Sequence, residues 1–193
     1  MKKTMMTIAA VLCCALAFTA CQKPNADKNN DESTADLDNP TAQIASVKVE
    51  YKFQTTDDML QFFDFKFEYM DAKTGQKATE VISAATFTKE YTNVTLPVKF
   101  GYNLTTTLKA GKTLDELKAV ASMAYIQPSP TAWISMYDKN GKLIGDGGRR
   151  TTVSGSTPTS GERMAKRFED GLFNKSYLES VDAKGNGTSE EWK

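Results

Sequence analysis

The sequence predicts an all-β protein, an immunoglobulin-like antiparallel β-sandwich with one or two short helices. The first observation is an alternation of apolar and polar residues with period two in three stretches, at residues 47–53, 63–69 and 98–108. The second is a set of short turn sequences rich in Gly, Asn and Asp between such stretches. The third is their spacing, because about eight short strands separated by turns at near-regular intervals are typical of a β-sandwich.

The three alternating stretches are the strongest strands of the predicted fold. Successive residues of a strand point to opposite faces, so an alternating stretch buries one face and leaves the other in water. We expect the apolar residues of all three stretches to be buried together in one core between two sheets. These residues are Val47, Val49, Tyr51, Phe53, Phe63, Phe65, Phe67, Tyr69, Val98, Phe100, Tyr102, Leu104 and Leu108.

Weaker apolar patterns predict the remaining strands. They lie at residues 77–82, 86–92, 120–127, 132–138, 142–146 and 177–182. Residues 71–75 and 138–141 have the composition of hairpin turns, because Asn and Gly tolerate positive φ. We interpret the Gly-rich run at residues 145–148 as a turn as well. A last turn at residues 183–187 predicts a hairpin at the C-terminus.

Two short helices are expected to interrupt the strands. Thr113 and Glu116 have the spacing of a capping box, in which each side chain accepts a hydrogen bond from the other residue's amide. They predict a helix that begins at this point. Met164, Phe168 and Leu172 recur every four residues and predict a second helix near the C-terminus.

The N-terminus has the organisation of an export signal. Lys2 and Lys3 precede an apolar run at residues 8–18. The run is too short to span a bilayer, which needs about 20 residues. The order of positive charge, apolar segment and small residues is typical of a secretory signal peptide.

The end of this segment resembles a known processing site. Residues 18–21, Phe-Thr-Ala-Cys, are similar to the lipobox of bacterial lipoproteins, although Leu is commoner at the first position. The resemblance implies cleavage before Cys21 and acylation of Cys21 itself. Cys13 and Cys14 would leave with the signal peptide, so the mature chain would have no free thiol, no disulfide and no cysteine metal site.

The chain is expected to consist of three segments. Residues 1–20 are a lipoprotein signal peptide, residues 21–42 are the lipidated Cys21 and a flexible tether, and residues 43–193 are a single β-sandwich domain with a short C-terminal helix and hairpin. Most residues between 22 and 39 are polar, and such a composition buries too little apolar surface to offset the entropy of ordering. A domain of about 150 residues is large enough to be stabilised by its own core.

The combination of a lipobox, a polar tether and a compact β domain rich in Thr, Asn and Tyr is similar to the small, uncharacterised cell-envelope lipoproteins of Bacteroides-type bacteria. This resemblance implies a protein of the cell envelope, held in the outer membrane by its lipid anchor. Gln22 after the cysteine resembles the residue found in lipoproteins sent to the outer membrane. The leaflet is left open, because the dense acidic run that accompanies surface display is missing directly after Cys21.

The composition excludes several classes of function. The chain has 24 basic and 24 acidic residues and no basic stripe, so we expect no nucleic-acid partner. It has no histidine, and together with the absent mature thiol this excludes Ser-His-Asp triads, Cys-His dyads and histidine zinc sites. We expect no metal, no cofactor and no catalytic residue.

Carboxylate catalysis is the chemistry that this composition leaves open. Glycosidases need only two acids about 5 to 9.5 Å apart. The adjacent acids are Asp57 with Asp58 and Asp115 with Glu116. Both pairs lie where strands or helices are expected to begin, so we interpret them as capping residues rather than as catalytic pairs.

Three aromatic residues, Trp133, Trp192 and Phe62, are the candidates for ligand binding. Exposed aromatic rings can stack on sugar rings, and Phe62 lies on the polar parity of its predicted strand, beside Phe63. The competing interpretation favours Trp133, next to the alternating Ile134, as a core residue. For Trp192 it favours a structural role, in which the ring packs against the domain and holds the last strand in place.

These observations predict a non-catalytic binding or structural module of unknown ligand, whose partner in the envelope is a glycan or a protein. This hypothesis requires a ligand surface on loops or on one sheet face. A first alternative is a glycan-binding module, which requires exposed aromatic rings in a row. A second alternative is a carboxylate-only hydrolase, which requires two acids facing each other across a cleft.

Overall fold

The computed structural model describes residues 43–151 and 155–193. The predicted signal peptide, Cys21 and the tether fall within residues 1–42 and lie outside the described residues. In the described part, no helix has the length and apolarity needed to cross a membrane.

The described residues form mostly β-strands. The strands are β1 (Ser46–Gln54), β2 (Phe63–Met70), β3 (Lys77–Ile82), β4 (Thr86–Tyr91), β5 (Val98–Leu108), β6 (Met123–Tyr125), β7 (Thr131–Tyr137), β8 (Leu143–Arg149), β9 (Thr157–Thr159), β10 (Lys175–Val181) and β11 (Gly187–Glu190). The helices are α1 (Asp57–Phe62), α2 (Leu114–Lys118) and α3 (Gly161–Glu169).

The strands form two main sheets that enclose the core. One sheet has four strands in the order β4-β1-β7-β8, and the other has five in the order β11-β10-β5-β2-β3. β6 and β9 form a small separate sheet, and the amide of Ala124 in β6 donates a hydrogen bond to Asp58 of α1. Every strand pairing described is antiparallel. The predicted antiparallel β-sandwich is therefore confirmed.

The core includes the residues that the alternation of β1, β2 and β5 assigned to it. Each of them is at most 7% exposed, except Leu108, which is half-buried. Aromatic rings fill much of the interior, and the ring centroids of Phe53 and Phe65 are 5.3 Å apart. The buried Tyr51 hydroxyl donates a hydrogen bond of 2.6 Å to the carbonyl oxygen of Met70, so its polar atom is satisfied.

The turns at residues 71–75 and 138–141 are confirmed, and each is organised by the aspartate at its start. Asp71 Oδ1 accepts hydrogen bonds from two backbone amides, both at 2.9 Å. The Asp138 carboxylate accepts two amides in the same way. The hydrogen bond from the Lys142 amide is the main reason why the pKa of Asp138 lies below its usual value.

Two predictions of local structure were wrong. Residues 145–148 belong to β8 and do not form a turn, because their backbone pairs with β7. Phe62 is the last residue of α1 and not part of a strand, because Thr56 caps a helix that the sequence analysis did not predict. Thr56 Oγ1 accepts the Met59 amide at 3.3 Å, which is the usual N-cap contact. The described residues therefore contain three helices instead of one or two.

The two predicted helices are confirmed as α2 and α3. Thr113 Oγ1 accepts the Glu116 amide and the Glu116 carboxylate accepts the Thr113 amide, so the capping box is formed. α3 ends before Gly171, and Leu172, which is 44% exposed, lies beyond the helix. β9 was not predicted, because a strand of three residues is too short to show a period.

Candidate functional site

One flank of the sandwich, formed by the edge strands β8 and β11, has no buried residue, and we call it the open flank. All four residues of β11 are exposed, and those of β8 are exposed or half-buried. On the opposite flank, the closed flank, the edge strands β3 and β4 bury Ile82 and Tyr91 in the core. The open flank is therefore where the space between the sheets can be reached from the side.

The five-stranded sheet extends further than the four-stranded sheet at the open flank. β8 lies above β5, because a Cβ atom on Gly148 would be 3.0 Å from the Phe100 ring. β8 is the last strand of its sheet, whereas β10 and β11 continue beyond β5. In the described part of the chain, the inward face of β11 therefore has no strand opposite it.

The inward face of β8 lacks side chains near its centre. Gly145 and Gly147 pair with Met136 and Ile134, and directly paired residues point to the same face of a sheet. Ile134 is 1% exposed, so this is the core face. A Cβ atom on Gly147 would have no heavy atom within 4 Å. The core face of β8 is therefore open beside Gly147, and we call this space the gap. It is local, because the adjacent Gly148 lies close to Phe100.

Three polar residues belong to the inward faces of β8 and β10. Arg149 pairs with the buried Ala132 and so points to the same face as Gly147. On β10, the Tyr177 hydroxyl donates a hydrogen bond to the Glu179 carboxylate. Burial and then this hydrogen bond raise the pKa of Tyr177 above its usual value, while the charge of Arg149 acts in the opposite direction. Among the described residues, neither Arg149 nor Glu179 has an oppositely charged group within 4 Å.

Trp133 lies on the outer face of the four-stranded sheet, and its interpretation as a core residue was wrong. Its neighbours Ala132 and Ile134 occupy the core face, so the alternation of β7 directs Trp133 outward, where it is half-buried. The Arg150 guanidinium lies 3.9 Å from the centre of the ring, within the range of a cation–π contact. The indole Nε1 atom is buried and has no hydrogen-bond partner in the part of the chain that the structure describes.

Charged residues of both signs surround Trp133 on this outer face. Glu50, which pairs with Trp133, lies 2.8 Å from Lys52 and 3.8 Å from Lys48. Lys48 also pairs with Glu90 at 2.7 Å, and this hydrogen bond is the main reason why the pKa of Lys48 is raised. The charges compensate one another, and the aromatic ring lies among donors and acceptors of hydrogen bonds.

The other two candidate aromatic residues lie elsewhere. Trp192 is half-buried on the outer side of the five-stranded sheet, where Lys77 Nζ lies 5.1 Å from the ring centre, and it borders a depression of about 550 Å³. Phe62 is half-buried at the end of α1, with Lys112 Nζ 5.3 Å from its ring centre. Trp133, Trp192 and Phe62 thus have different neighbours and do not form one row.

The adjacent acids lie in the first turns of helices, and the interpretation as a capping residue is confirmed for Glu116, which accepts the Thr113 amide in the capping box. At the start of α1 the Met59 amide is bound by Thr56 and not by Asp57 or Asp58. Asp57 and Asp58 begin α1, and Asp115 and Glu116 lie in the first turn of α2. Asp58 also accepts the Ala124 amide at 2.5 Å. Within the described ranges, no group of three His, Cys, Asp or Glu side chains could hold a metal ion.

The open flank could not be predicted from the motifs of the sequence. Gly145 and Gly147 were assigned to a turn, and Arg149, Tyr177 and Glu179 belong to no motif. The predicted strand at residues 142–146 contains Gly145, and this glycine could have indicated the flank. Glycine inside a strand often marks the close approach of a ligand or another backbone.

No protein-family model, no curated protein and no solved structure matches this chain. The function is therefore inferred from the residues and the geometry of the chain itself.

Proposed function

We propose that this protein is a lipid-anchored lipoprotein of the cell envelope, located at the outer membrane, and that its β-sandwich is a non-catalytic binding module. The open flank carries the binding role. Its two edge strands bury no residue, and a partner can enter the gap beside Gly147 from the side.

The anchor is inferred from residues 18–21 and from the polar composition that follows them. More than one acyl chain on Cys21 would make membrane binding stable, because each buried methylene contributes about 0.8 kcal/mol. The first strand begins at Ser46, so a flexible tether between Cys21 and the sandwich would span about 25 Å on average. Such a tether leaves the sandwich free to meet a partner in the envelope.

The anchor is tested by replacing Cys21 with Ser in the full chain. We expect the variant to leave the membrane fraction or to accumulate with its signal peptide uncleaved, and mass spectrometry of the wild type to show acyl chains on Cys21. Cys14→Ser is the matched control, because this cysteine lies in the predicted signal peptide and the variant should still be anchored. A mature chain that begins elsewhere and carries no lipid would contradict the proposal.

The absence of a catalytic role is supported by the state of the carboxyl groups. A general acid at neutral pH needs a raised pKa. Among the described residues, the carboxyl groups with a shifted pKa are all shifted downward, since hydrogen bonds to the ionised form outweigh burial. They are Glu68, Asp71, Asp138, Asp182 and Glu190. We expect no turnover of glycosides, esters or peptides by the purified chain, and activity that disappears when one Asp or Glu is replaced would overturn this inference.

Glycan binding is a second candidate function, and the surroundings of Trp133 favour it. Sugar hydroxyls both donate and accept hydrogen bonds, and Glu50, Lys52 and Arg150 offer both kinds of partner around one ring. Their charges compensate, so the surface suits a neutral ligand better than an ion. Arg150 would have to leave the ring, which costs about 0.5–1 kcal/mol at an exposed site.

The glycan candidate is tested by probing the full chain on an array of neutral oligosaccharides. We expect Trp133→Ala to abolish binding and Trp192→Ala to preserve it, because the two rings lie on different sheets. Binding that survives Trp133→Ala, or an array without any bound glycan, would contradict this second function.

A further inference from the structure

We propose that the open flank binds an extended peptide segment of another protein, which pairs with β8 and becomes the fifth strand of the four-stranded sheet. The segment would lie above the inward face of β11. This inference rests on the proposed binding role and specifies its partner, but it does not depend on the lipid anchor.

β8 is the least protected of the long edge strands. Edge strands usually carry charged residues or proline that prevent pairing with another chain. β3 and β4 each contain Lys and Glu, and β11 has only four residues. β8 has a single charged residue, Asp146, before the terminal Arg149, and in the described part of the chain it pairs with β7 alone.

The continuously paired part of β8 is long enough for a short peptide. An irregularity in the register with β7 lies beside Ile144, and from Gly145 to Arg149 the pairing is continuous. A partner could therefore pair with about five residues of backbone, which is the usual scale of recognition by strand addition.

The space beside β8 suits one strand and not a second copy of this chain. Adjacent strands lie about 4.8 Å apart, and the next position beyond β8 faces strands of the five-stranded sheet. A second copy that paired through its own β8 would bring its five-stranded sheet to the same side. Because that sheet also extends beyond its β8, the outermost strands of the two copies would overlap. A single extended segment has no second layer and avoids this overlap.

The gap at Gly147 indicates what the segment presents inward. One of its inward side chains would lie beside Gly147, where β8 has no side chain and where a Cβ atom would have no heavy atom within 4 Å. The space beside Gly145 is taken by Met136, whose Cε atom is 2.9 Å from where a Cβ atom would lie. Interiors of proteins are close-packed, so a large apolar side chain beside Gly147 would gain contacts that are missing in the free domain.

Arg149 indicates a second feature of the segment. It lies two residues beyond Gly147 on the same face, and no carboxylate among the described residues is within 4 Å of it. An acidic residue two positions from the large apolar residue would reach this guanidinium. The expected segment therefore has a large apolar residue at one inward position and an Asp or Glu at the next inward position, two residues away in its sequence.

The inference is tested with a phage-displayed library of random peptides of about seven residues, selected against the full chain. Enriched peptides are synthesised and titrated against the wild type, Gly147→Phe, Val81→Phe and Arg149→Ala. Gly147→Phe fills the gap from within the chain. Val81→Phe is the matched control, because it adds the same side chain to an edge strand of the closed flank, at a position that is 70% exposed. Circular dichroism and urea unfolding establish that each variant is folded.

We expect the enriched peptides to carry a large apolar residue two positions from Asp or Glu. Gly147→Phe should weaken their binding by about tenfold or more, Arg149→Ala should remove the preference for the acid, and Val81→Phe should change neither. A selection without this pattern, or peptides that bind Gly147→Phe as tightly as the wild type, would overturn the inference. Self-association of the chain that Gly147→Phe abolishes would also overturn it, because the partner would then be a second copy. None of these outcomes alters the fractionation of Cys21→Ser, so a failure here is distinguishable from a failure of the anchor.

Discussion

Each flank of the sandwich is bounded by one edge strand from each sheet. Only the edge strands of the closed flank contribute residues to the core. On the closed flank, the ring centroids of Phe87 and Phe67 are 5.6 Å apart and those of Tyr91 and Tyr51 are 6.2 Å apart. On the open flank, neither β8 nor β11 buries a residue. Hydrogen bonding between strands and burial of side chains are thus separate contributions to the stability of an edge strand. Only the edge strands of the closed flank have both.

The difference shows what holds each edge strand in place. A strand that buries apolar side chains gains about 25 cal/mol for each Å² removed from water. β8 gains little in this way and depends on its backbone hydrogen bonds with β7 and on the contact between Trp133 and Arg150. Each backbone hydrogen bond contributes about 0.5–1.5 kcal/mol net. We therefore expect the open flank to be less stable locally and more available to a partner than the closed flank.

The largest effect is expected for Phe65→Ala, which removes a core residue next to the closed flank. Phe65 is 0% exposed, pairs with Ile82 of β3 and lies close to Phe53. The variant should lose about 3–5 kcal/mol of unfolding free energy, the range for a truncated core aromatic residue. Urea unfolding of the full chain measures this loss. A loss below about 1 kcal/mol would mean that this face of β2 is not in the core.

The next comparison uses two adjacent glycines of the open flank. A Cβ atom on Gly148 would lie 2.3 Å from the carbonyl oxygen of Ala132, and the residue has φ +114°, so Gly148→Ala should cost about 2–4 kcal/mol. Gly147→Ala meets no atom within 4 Å and should stabilise the chain by about 0.4–1 kcal/mol, because alanine restricts the unfolded chain. The same urea titrations measure both. A destabilising Gly147→Ala would show that the gap is already filled.

The third comparison concerns tyrosine ionisation on the two flanks. The Tyr91 hydroxyl donates a hydrogen bond of 2.9 Å to Asp71, and burial followed by this contact raises the pKa of Tyr91 above its ordinary value of 10.0. Because the pKa is higher in the folded state, the associated stability is fully present below about pH 10 and is lost as the pH rises further. Tyr91→Phe should make this alkaline loss less steep, and at pH 7 it should cost about 1–2 kcal/mol for the lost hydrogen bond.

Tyr177→Phe is the matched variant on the open flank. Its phenol also has a raised pKa, from burial and from Glu179, so the alkaline loss should again become less steep. Since Tyr177 is only half-buried, the cost at pH 7 should be smaller, below about 1 kcal/mol. Unfolding free energies measured between pH 7 and about pH 11 test both variants, and unchanged slopes would contradict the role of these phenols.

Most of the fold could be predicted because, in its central strands, the residues that alternate are also the residues that are buried. Phe65 and Phe67 both point to the core face of β2. This makes them alternate with polar residues in the sequence and leaves them 0% exposed in the structure. The capping box at Thr113 could be predicted because it joins groups only three residues apart. Local contacts and periodic burial can therefore be predicted directly from the sequence.

The open flank has neither a periodic pattern nor a local motif from which it could be predicted. Gly145 and Gly147 contribute no side chain to a period, and β8 meets the five-stranded sheet at Phe100, which is distant along the chain. The assignment of Trp133 to the core gave more weight to the size of the ring than to the parity of its neighbours, Ala132 and Ile134. α1 was missed because six residues are too few to establish a helical period.

The smallest effect is expected for the apolar residues of the open flank itself. Leu143 and Ile144 are 47% and 39% exposed, so truncating either removes contacts that are mostly with water. Ile144→Ala should therefore change the unfolding free energy by less than about 0.5 kcal/mol. Ile82→Ala on the closed flank, where the residue is 6% exposed, should cost about 2–4 kcal/mol in the same titration. Equal losses for these two isoleucines would mean that the open flank is covered in solution. Sedimentation of the full chain would then show whether a second copy covers it.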